Sequence, residues 1–186
     1  NSLMKKRLRW YMVNREKVQN LATDQFFESV CGKNHPYGYQ ILEKDFENIT
    51  PSLLSDFHSK YYTPENMAVV ISGKIHKETA ELLNSYFGNI NSKKINNETS
   101  KNLIKGEKLK KIHINKTGTV QNAIRIGSAT INKRHPDYPG LKILDSILGG
   151  YFGSRLMKNI REEKGYTYGI SSSLSSLDLT GCKVIS

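Results

Sequence analysis

The stretch SRLMKNIREEKGYTYG, residues 154–169, changes its periodicity part-way along. Its first half places Leu156 and Ile160 on one helical face, and the alternation of aromatic residues after Gly165 is typical of a strand. Gly165 fits the end of the helix, because glycine readily adopts the left-handed backbone conformation that closes many helices. The stretch therefore predicts a helix, a glycine stop and a strand, which indicates a chain that mixes α and β structure.

Similar patterns lie on both sides of this stretch. Apolar residues at helical intervals predict helices within residues 3–30, 50–61, 78–88, 139–150 and 154–165. Compact or alternating apolar runs predict strands over residues 66–73, 110–116, 121–131 and 166–176, and a further strand from about residue 182. Gly32 is a natural helix stop, and Thr50 with Pro51 is a natural helix start. The fold class expected from these elements is α+β.

Residues 89–106 differ in composition from both flanks. The segment NINSKKINNETSKNLIKG holds five Asn and four Lys and few large apolar residues, which is typical of a polar linker. We therefore expect a first domain over residues 1–90, a linker over 91–106 and a second domain over 107–186.

The histidines do not form a recognisable metal motif. None of the five has a second histidine three or four residues away, and zinc sites depend on clustered ligands, so we interpret them as turn, cap or surface residues. HPYG at 35–38 and HPDYPG at 135–140 echo one another. Since the first precedes a loop and the second leads directly into a helix, we interpret the echo as a coincidence.

Bulk charge and hydropathy exclude some classes of function. The formal net charge is +11, but the 28 basic residues are dispersed and accompany no nucleic-acid module, so we predict no nucleic-acid partner. No apolar run approaches the roughly 20 residues that span a bilayer. Cys31 and Cys182 are far apart in sequence and leave both the presence of a disulfide and the cellular compartment open.

Arg161 and Tyr168 are the main candidate site residues. The residues alone favour a structural interpretation, in which Arg161 complements the C-terminal end of its helix and Tyr168 is a core aromatic. The preceding segment ILGGYFG lacks the Lys-Ser/Thr of a phosphate loop. Gly149 and Gly150 either let the chain turn between two helices or let a bound peptide approach the backbone closely.

Three quoted stretches together resemble the M16 family of zinc metallopeptidases, which includes pitrilysin, insulin-degrading enzyme and mitochondrial processing peptidase. They are HPYG, ITPSLLSDFHSKYYTPENMAVVISG and DYPGLKILDSILGGYFGSRLMKNIREEKGYTYGISSSL. The resemblance implies two incomplete M16-type domains of the LuxS/MPP-like metallohydrolase fold, joined by the polar linker. It also places the catalytic His-x-x-Glu-His motif before residue 1, so this chain holds no catalytic residue and is predicted to be inactive alone.

The resemblance implies a zinc site outside this chain. The family's third zinc ligand, a glutamate, would fall near Trp10 or Tyr11, but residues 1–15 contain no acidic residue. Either the ligand lies further upstream, or the chain belongs to the members that lack zinc and pair with a zinc-bearing subunit. The expected partners are a peptide substrate and a zinc-bearing M16 subunit or a second copy in a homodimer.

The spacing of Arg161 and Tyr168 matches a substrate-binding arginine and tyrosine of the family's second domain. The resemblance implies that the guanidinium holds a peptide carbonyl and that the phenol donates to the oxyanion that develops on the substrate. Gly149, Gly150 and Arg155 are secondary substrate-binding candidates. The alternative is a proteolytically inactive structural subunit that keeps the family fold, as core subunits of respiratory complexes do.

Overall fold

The computed structural model describes residues 2–90, 110–178 and 180–186. The helices are α1 (Ser2–Arg15), α2 (Val18–Cys31), α3 (Glu43–Glu47), α4 (Pro51–Tyr61), α5 (Glu78–Phe87) and α6 (Tyr138–Asp145), with a 3₁₀ turn at Pro64–Asn66. Two π-helical segments, π1 (Ser146–Gly150) and π2 (Met157–Glu163), follow α6, and the strands are β1 (Ile126–Thr130), β2 (Ser172–Ser176) and β3 (Gly181–Ile185). The predicted mixture of helix and sheet is confirmed, while the predicted linker lies outside the described residues.

The described residues fall into two compact units. One contains residues 2–41 together with 110–178 and 180–186, and the other contains residues 42–90. The first unit therefore holds α1, α2, α6, both π segments and all three strands. The domain limits expected from the sequence stay a prediction.

The sheet of the first unit is antiparallel, with the strand order β1-β3-β2. Strands β2 and β3 form a hairpin, in which the Leu177 N–H donates to the Thr180 carbonyl at 2.8 Å. In the central strand, Cys182 faces Ala129 of β1 on one side and Ser175 of β2 on the other.

Helix α2 supplies the core that covers this sheet. A Cβ at Gly127 would lie 2.9 Å from the Cζ of Phe26, so the ring of Phe26 packs where β1 has no side chain. The Cys31 thiol hydrogen-bonds the Cys182 thiol, and both side chains are buried. Burial, and then the neighbouring Cys31, raise the pKa of Cys182 to about 12. The two cysteines are free thiols in contact, a pairing that the sequence left open.

The second unit confirms two predicted helices. The Thr50 side chain accepts a hydrogen bond from the Leu53 N–H at 3.1 Å, and Pro51 occupies the first turn of α4. Helix α5 ends at Gly88, as predicted.

The predicted strand at residues 66–73 is wrong. Residues 67–72 form no strand pairing, and Val70 is 90% exposed. A strand needs a hydrogen-bonding neighbour, and no residue of the described part of this unit supplies one.

In the first unit, the predicted strand over residues 110–116 is not formed, and the one predicted over residues 121–131 is shorter than expected. Residues 110–116 and 121–125 are extended without ladder pairing, and the strand there is limited to β1. The segment instead contacts α2 and the turn before it. Lys116 forms an ion pair with Glu16, and the Arg125 Nε donates a hydrogen bond to the Thr23 hydroxyl at 3.2 Å.

The two His-Pro turns adopt the same hydrogen-bonded geometry, whereas the interpretation of their echo as a coincidence stays a prediction. In each turn the histidine Nδ1 accepts from the N–H two residues later at 3.2 Å, from Tyr37 to His35 and from Asp137 to His135. In each, the histidine N–H also donates to the carbonyl three residues earlier, at 3.0 Å. Both stretches therefore form the same kind of turn, and the turn role predicted for these two histidines is confirmed.

Candidate functional site

The candidate site lies on a short glycine-rich loop between π1 and π2. Residues 151–154 make the turn, in which the Ser154 N–H donates to the Tyr151 carbonyl at 3.1 Å. Both flanking segments were predicted as ordinary α-helix, but their turns are widened to π geometry, which is rare and frequent at functional sites. The helical prediction for residues 154–165 is otherwise confirmed, because Gly165 follows the helix end with φ of 64°.

The base of the loop is packed against the start of β2. A Cβ at Gly149 would lie 2.5 Å from the Ser172 nitrogen and 2.7 Å from the Ser172 Cβ, so only glycine fits between π1 and the strand. The Ser172 hydroxyl donates a hydrogen bond to the carboxyl of Asp145, and both residues are almost fully buried. Asp145, Gly149 and Ser172 therefore fix π1 to the sheet.

Arg161 is half-buried in the last turn of π2 and lies over the ring of Phe152. Its guanidinium carbon is 4.8 Å from the ring centroid, within the range of a cation–π contact. The Glu163 carboxylate accepts a hydrogen bond from the Asn159 side chain at 3.0 Å and forms no ion pair with Arg161. Within the part of the chain that the structure describes, Arg161 forms no ion pair or side-chain hydrogen bond, so its N–H donors are free for a ligand.

Tyr168 lies outside the sheet. The predicted strand over residues 166–176 begins only at Ser172, and the Tyr168 side chain is 99% exposed. Its hydroxyl makes no hydrogen bond to any described residue. The structural interpretation of Tyr168 as a core aromatic is therefore wrong, because nothing in the described chain packs on its ring.

The secondary candidates differ in their surroundings. Gly149 is buried, whereas Gly150 is exposed, and a Cβ at Gly150 would lie 3.3 Å from the Ser146 side chain and 3.5 Å from the Asp145 carbonyl oxygen. Arg155 is exposed at the start of the helical turn that leads into π2. Gly150 and Arg155 are therefore accessible from solvent, whereas Gly149 is not.

Sequence reasoning missed Phe152 and the pair of Asp145 and Ser172. No local pattern marks Phe152, because its contact with Arg161 depends on the shape of the loop. Asp145 did carry a signal, since it interrupts the apolar positions Leu141 and Leu148 on the inward face of the helix. A lone carboxyl on such a face predicts a buried hydrogen-bond partner.

The described residues do not fit a zinc ion. Within residues 2–90, 110–178 and 180–186, no three His, Cys, Asp or Glu side chains come close enough together to hold a metal. A cavity of about 580 Å³ lies between α2 and residues 110–125, and neither Arg161 nor Tyr168 lines it. The helices of the described ranges include none with the length and apolar character needed to cross a bilayer.

A family model described as the peptidase M16 inactive domain matches residues 48–186. The chain belongs to the M16 peptidase family. This confirms the resemblance, and the model that matches represents the domain described as inactive. The M16 match includes the whole loop from Gly149 to Ser154, together with Arg161 and Tyr168.

Other M16-related proteins resemble the chain over most of its length. The zinc protease YmxG of Bacillus subtilis is 29% identical over 175 residues, which cover 91% of this chain and 42% of that protein. A mitochondrial ubiquinol-cytochrome-c reductase complex core protein I of Euglena gracilis is 29% identical over 111 residues, which are 59% of this chain and 22% of that protein. The chain thus spans about two fifths or less of these relatives.

A solved structure shares the fold. The crystal structure of a peptidase M16 inactive domain from Pseudomonas fluorescens superposes with a TM-score of 0.71 at 24% identity, covering 99% of this chain and 45% of that one. At this identity the likeness concerns the fold alone.

Proposed function

We propose that the chain is the substrate-binding part of an M16-type, zinc-dependent peptidase system whose metal lies outside it. The observation that carries the proposal is the half-buried Arg161, whose positive charge meets only the ring of Phe152 among the described residues. A guanidinium without a carboxylate partner keeps its N–H donors available for a carbonyl or carboxylate ligand. Among the described residues no carboxylate forms an ion pair with Arg161, which leaves the guanidinium available to a peptide.

The chemistry of the two side chains suits a peptide bond. The guanidinium of Arg161 presents planar N–H donors that bind a peptide carbonyl and fix its orientation. The exposed hydroxyl of Tyr168 donates a hydrogen bond where negative charge develops on the carbonyl oxygen during hydrolysis. Gly150 and Arg155 flank the same loop and contribute secondary contacts, and Gly149 contributes by holding the loop on β2.

Substitution of Arg161 in the full-length protein tests the proposal. We expect Arg161→Ala to lower kcat/KM for an internally quenched peptide by about 10²-fold, as for a lost oxyanion-type donor, and Arg161→Lys to recover only part of the loss. Arg134→Ala is the matched control, because Arg134 forms an exposed ion pair with Asp178 at a turn. Equal kcat/KM for Arg161→Ala and wild type would remove the proposed role.

Metal analysis tests where the zinc is held. If the zinc ligands lie upstream or in a partner subunit, residues 1–186 purified alone retain no stoichiometric zinc and hydrolyse no peptide. One tightly bound zinc ion per chain would contradict this part of the proposal.

A second candidate function is a structural subunit without proteolytic activity. It is favoured by the likeness to the Euglena core protein I, although that match covers only 59% of this chain. A structural subunit predicts that the native assembly hydrolyses no member of a random peptide library and that Arg161→Ala changes only its stability.

A further inference from the structure

The ring of Phe152 makes a cation–π contact with the Arg161 side chain. The guanidinium carbon lies 4.8 Å from the ring centroid, and the ring itself is 64% exposed. A cation–π contact holds the cation by its charge, and the Arg161 side chain makes no hydrogen bond to a described residue, so its N–H groups remain available as donors. The contact therefore limits the orientation of the cation without occupying its hydrogen-bonding groups.

The loop that carries Phe152 is held at both ends. Gly149 is packed against Ser172, and the turn closes with the hydrogen bond from the Ser154 N–H to the Tyr151 carbonyl. The Tyr151 ring covers Gly153, where a Cβ would lie 2.9 Å from a ring carbon. Phe152 thus projects from a fixed turn.

We infer that Phe152 is a positioning residue that pre-orients the guanidinium of Arg161 for a peptide carbonyl. The inference rests on the proposed role of Arg161. A free arginine side chain has many rotamers, and restricting them before binding removes part of the entropy that binding otherwise costs. Since cation–π contacts at exposed sites are weak, the expected gain in kcat/KM is modest, roughly two- to fivefold.

A double-mutant cycle in the full-length protein tests the inference. We expect Phe152→Leu to lower kcat/KM for an internally quenched peptide by roughly two- to fivefold when Arg161 is present, and to have no effect in the Arg161→Ala background. Phe152→Tyr should keep wild-type kcat/KM, because tyrosine also offers a π face. Tyr86→Leu is the control, because it removes an exposed aromatic ring of α5 that does not hold this loop, and its effect should be equal in both backgrounds.

The outcomes separate this inference from the proposed function. A loss that Phe152→Leu causes equally in both backgrounds, or a loss as large for Phe152→Tyr as for Phe152→Leu, means that Phe152 only stabilises the loop. If Arg161→Ala lowers kcat/KM but Phe152→Leu does not, only the positioning role fails. If Arg161→Ala leaves kcat/KM unchanged, the proposed function fails and the positioning role with it.

Discussion

The Ser172 hydroxyl donates a hydrogen bond to the carboxyl of Asp145, and the two residues are only 4% and 2% exposed. Asp145 is the last residue of α6 and Ser172 is the first residue of β2, so the chain segment between them begins and ends at the same buried hydrogen bond. That intervening chain contains the glycine loop, Arg161 and Tyr168. The candidate site therefore lies on a chain segment whose two ends are joined by a buried hydrogen bond.

Removal of this hydrogen bond should destabilise the fold. Ser172→Ala leaves the Asp145 carboxyl buried without its donor, which costs about 1–3 kcal/mol of unfolding free energy. Urea denaturation of the full-length protein measures the loss. Ser173→Ala, at the next and exposed position of β2, is the control and should change stability by less than about 0.5 kcal/mol. Equal effects of the two substitutions would contradict a role for the buried pair.

Two adjacent glycines should respond differently to alanine. Gly149→Ala forces a Cβ to within 2.5 Å of the Ser172 nitrogen, so the backbone must shift, at a cost of about 1–3 kcal/mol. A Cβ at Gly150 would lie 3.3 Å from the Ser146 hydroxyl oxygen and 3.5 Å from the Asp145 carbonyl oxygen, so small shifts suffice and Gly150→Ala should cost less than Gly149→Ala. Thermal unfolding of the two variants provides the comparison, and a larger loss for Gly150→Ala would refute the packing role of Gly149.

The hydroxyl of Tyr168 should matter more than that of Tyr166, although both side chains are exposed. If Tyr168 donates to the developing oxyanion, Tyr168→Phe lowers kcat by about 10²-fold and leaves KM almost unchanged. Tyr166→Phe removes a hydroxyl two residues away and should retain wild-type kcat. Steady-state kinetics on the full-length protein decide, and similar kcat values for both variants would exclude the oxyanion role.

Stability should fall at alkaline pH because of the buried thiols. The pKa of Cys182 is raised to about 12, whereas a thiol in an unfolded chain titrates near 8.5. Between these values the unfolded state holds fewer protons than the folded state, so the unfolding free energy decreases as pH rises, by up to about 1.4 kcal/mol per pH unit. Denaturant unfolding from pH 8 to 11 should show a shallower decrease for Cys182→Ala than for wild type. Parallel decreases would mean that the pKa of Cys182 is the same in the folded and unfolded states.

Local signals in the sequence predicted the longer helices but not the short helix α3, whereas strands and tertiary contacts depended on distant residues. The Thr50 cap and the Gly165 stop lie within a few residues of the helix ends they define, and both are observed. The run at residues 67–72 has the composition of a strand, but pairing is a non-local property and the described chain supplies no neighbour. The composition of a segment sets its propensity to form a strand, but it does not determine whether another strand is available to pair with it.

The candidate site shows the same division. Arg161 and Tyr168 became candidate site residues because their spacing matches an arginine and a tyrosine of the M16 family, and their role stays a prediction. The cation–π partner Phe152 could not be predicted, because it depends on a tight turn between two π segments. The hydrogen bond between Asp145 and Ser172 joins residues 27 positions apart, and only the lone carboxyl on the helix face pointed to it.

We expect the exposed run at residues 67–72 to promote association between molecules in solution. Short, uncharged segments of β-branched residues that expose their backbone associate edge to edge between molecules. Val70 is 90% exposed at the centre of this run, so it is the natural place for a charged residue that blocks such association. Residues 1–186 handled alone should therefore form concentration-dependent, β-rich aggregates that Val70→Lys suppresses, and light scattering against protein concentration would follow the change.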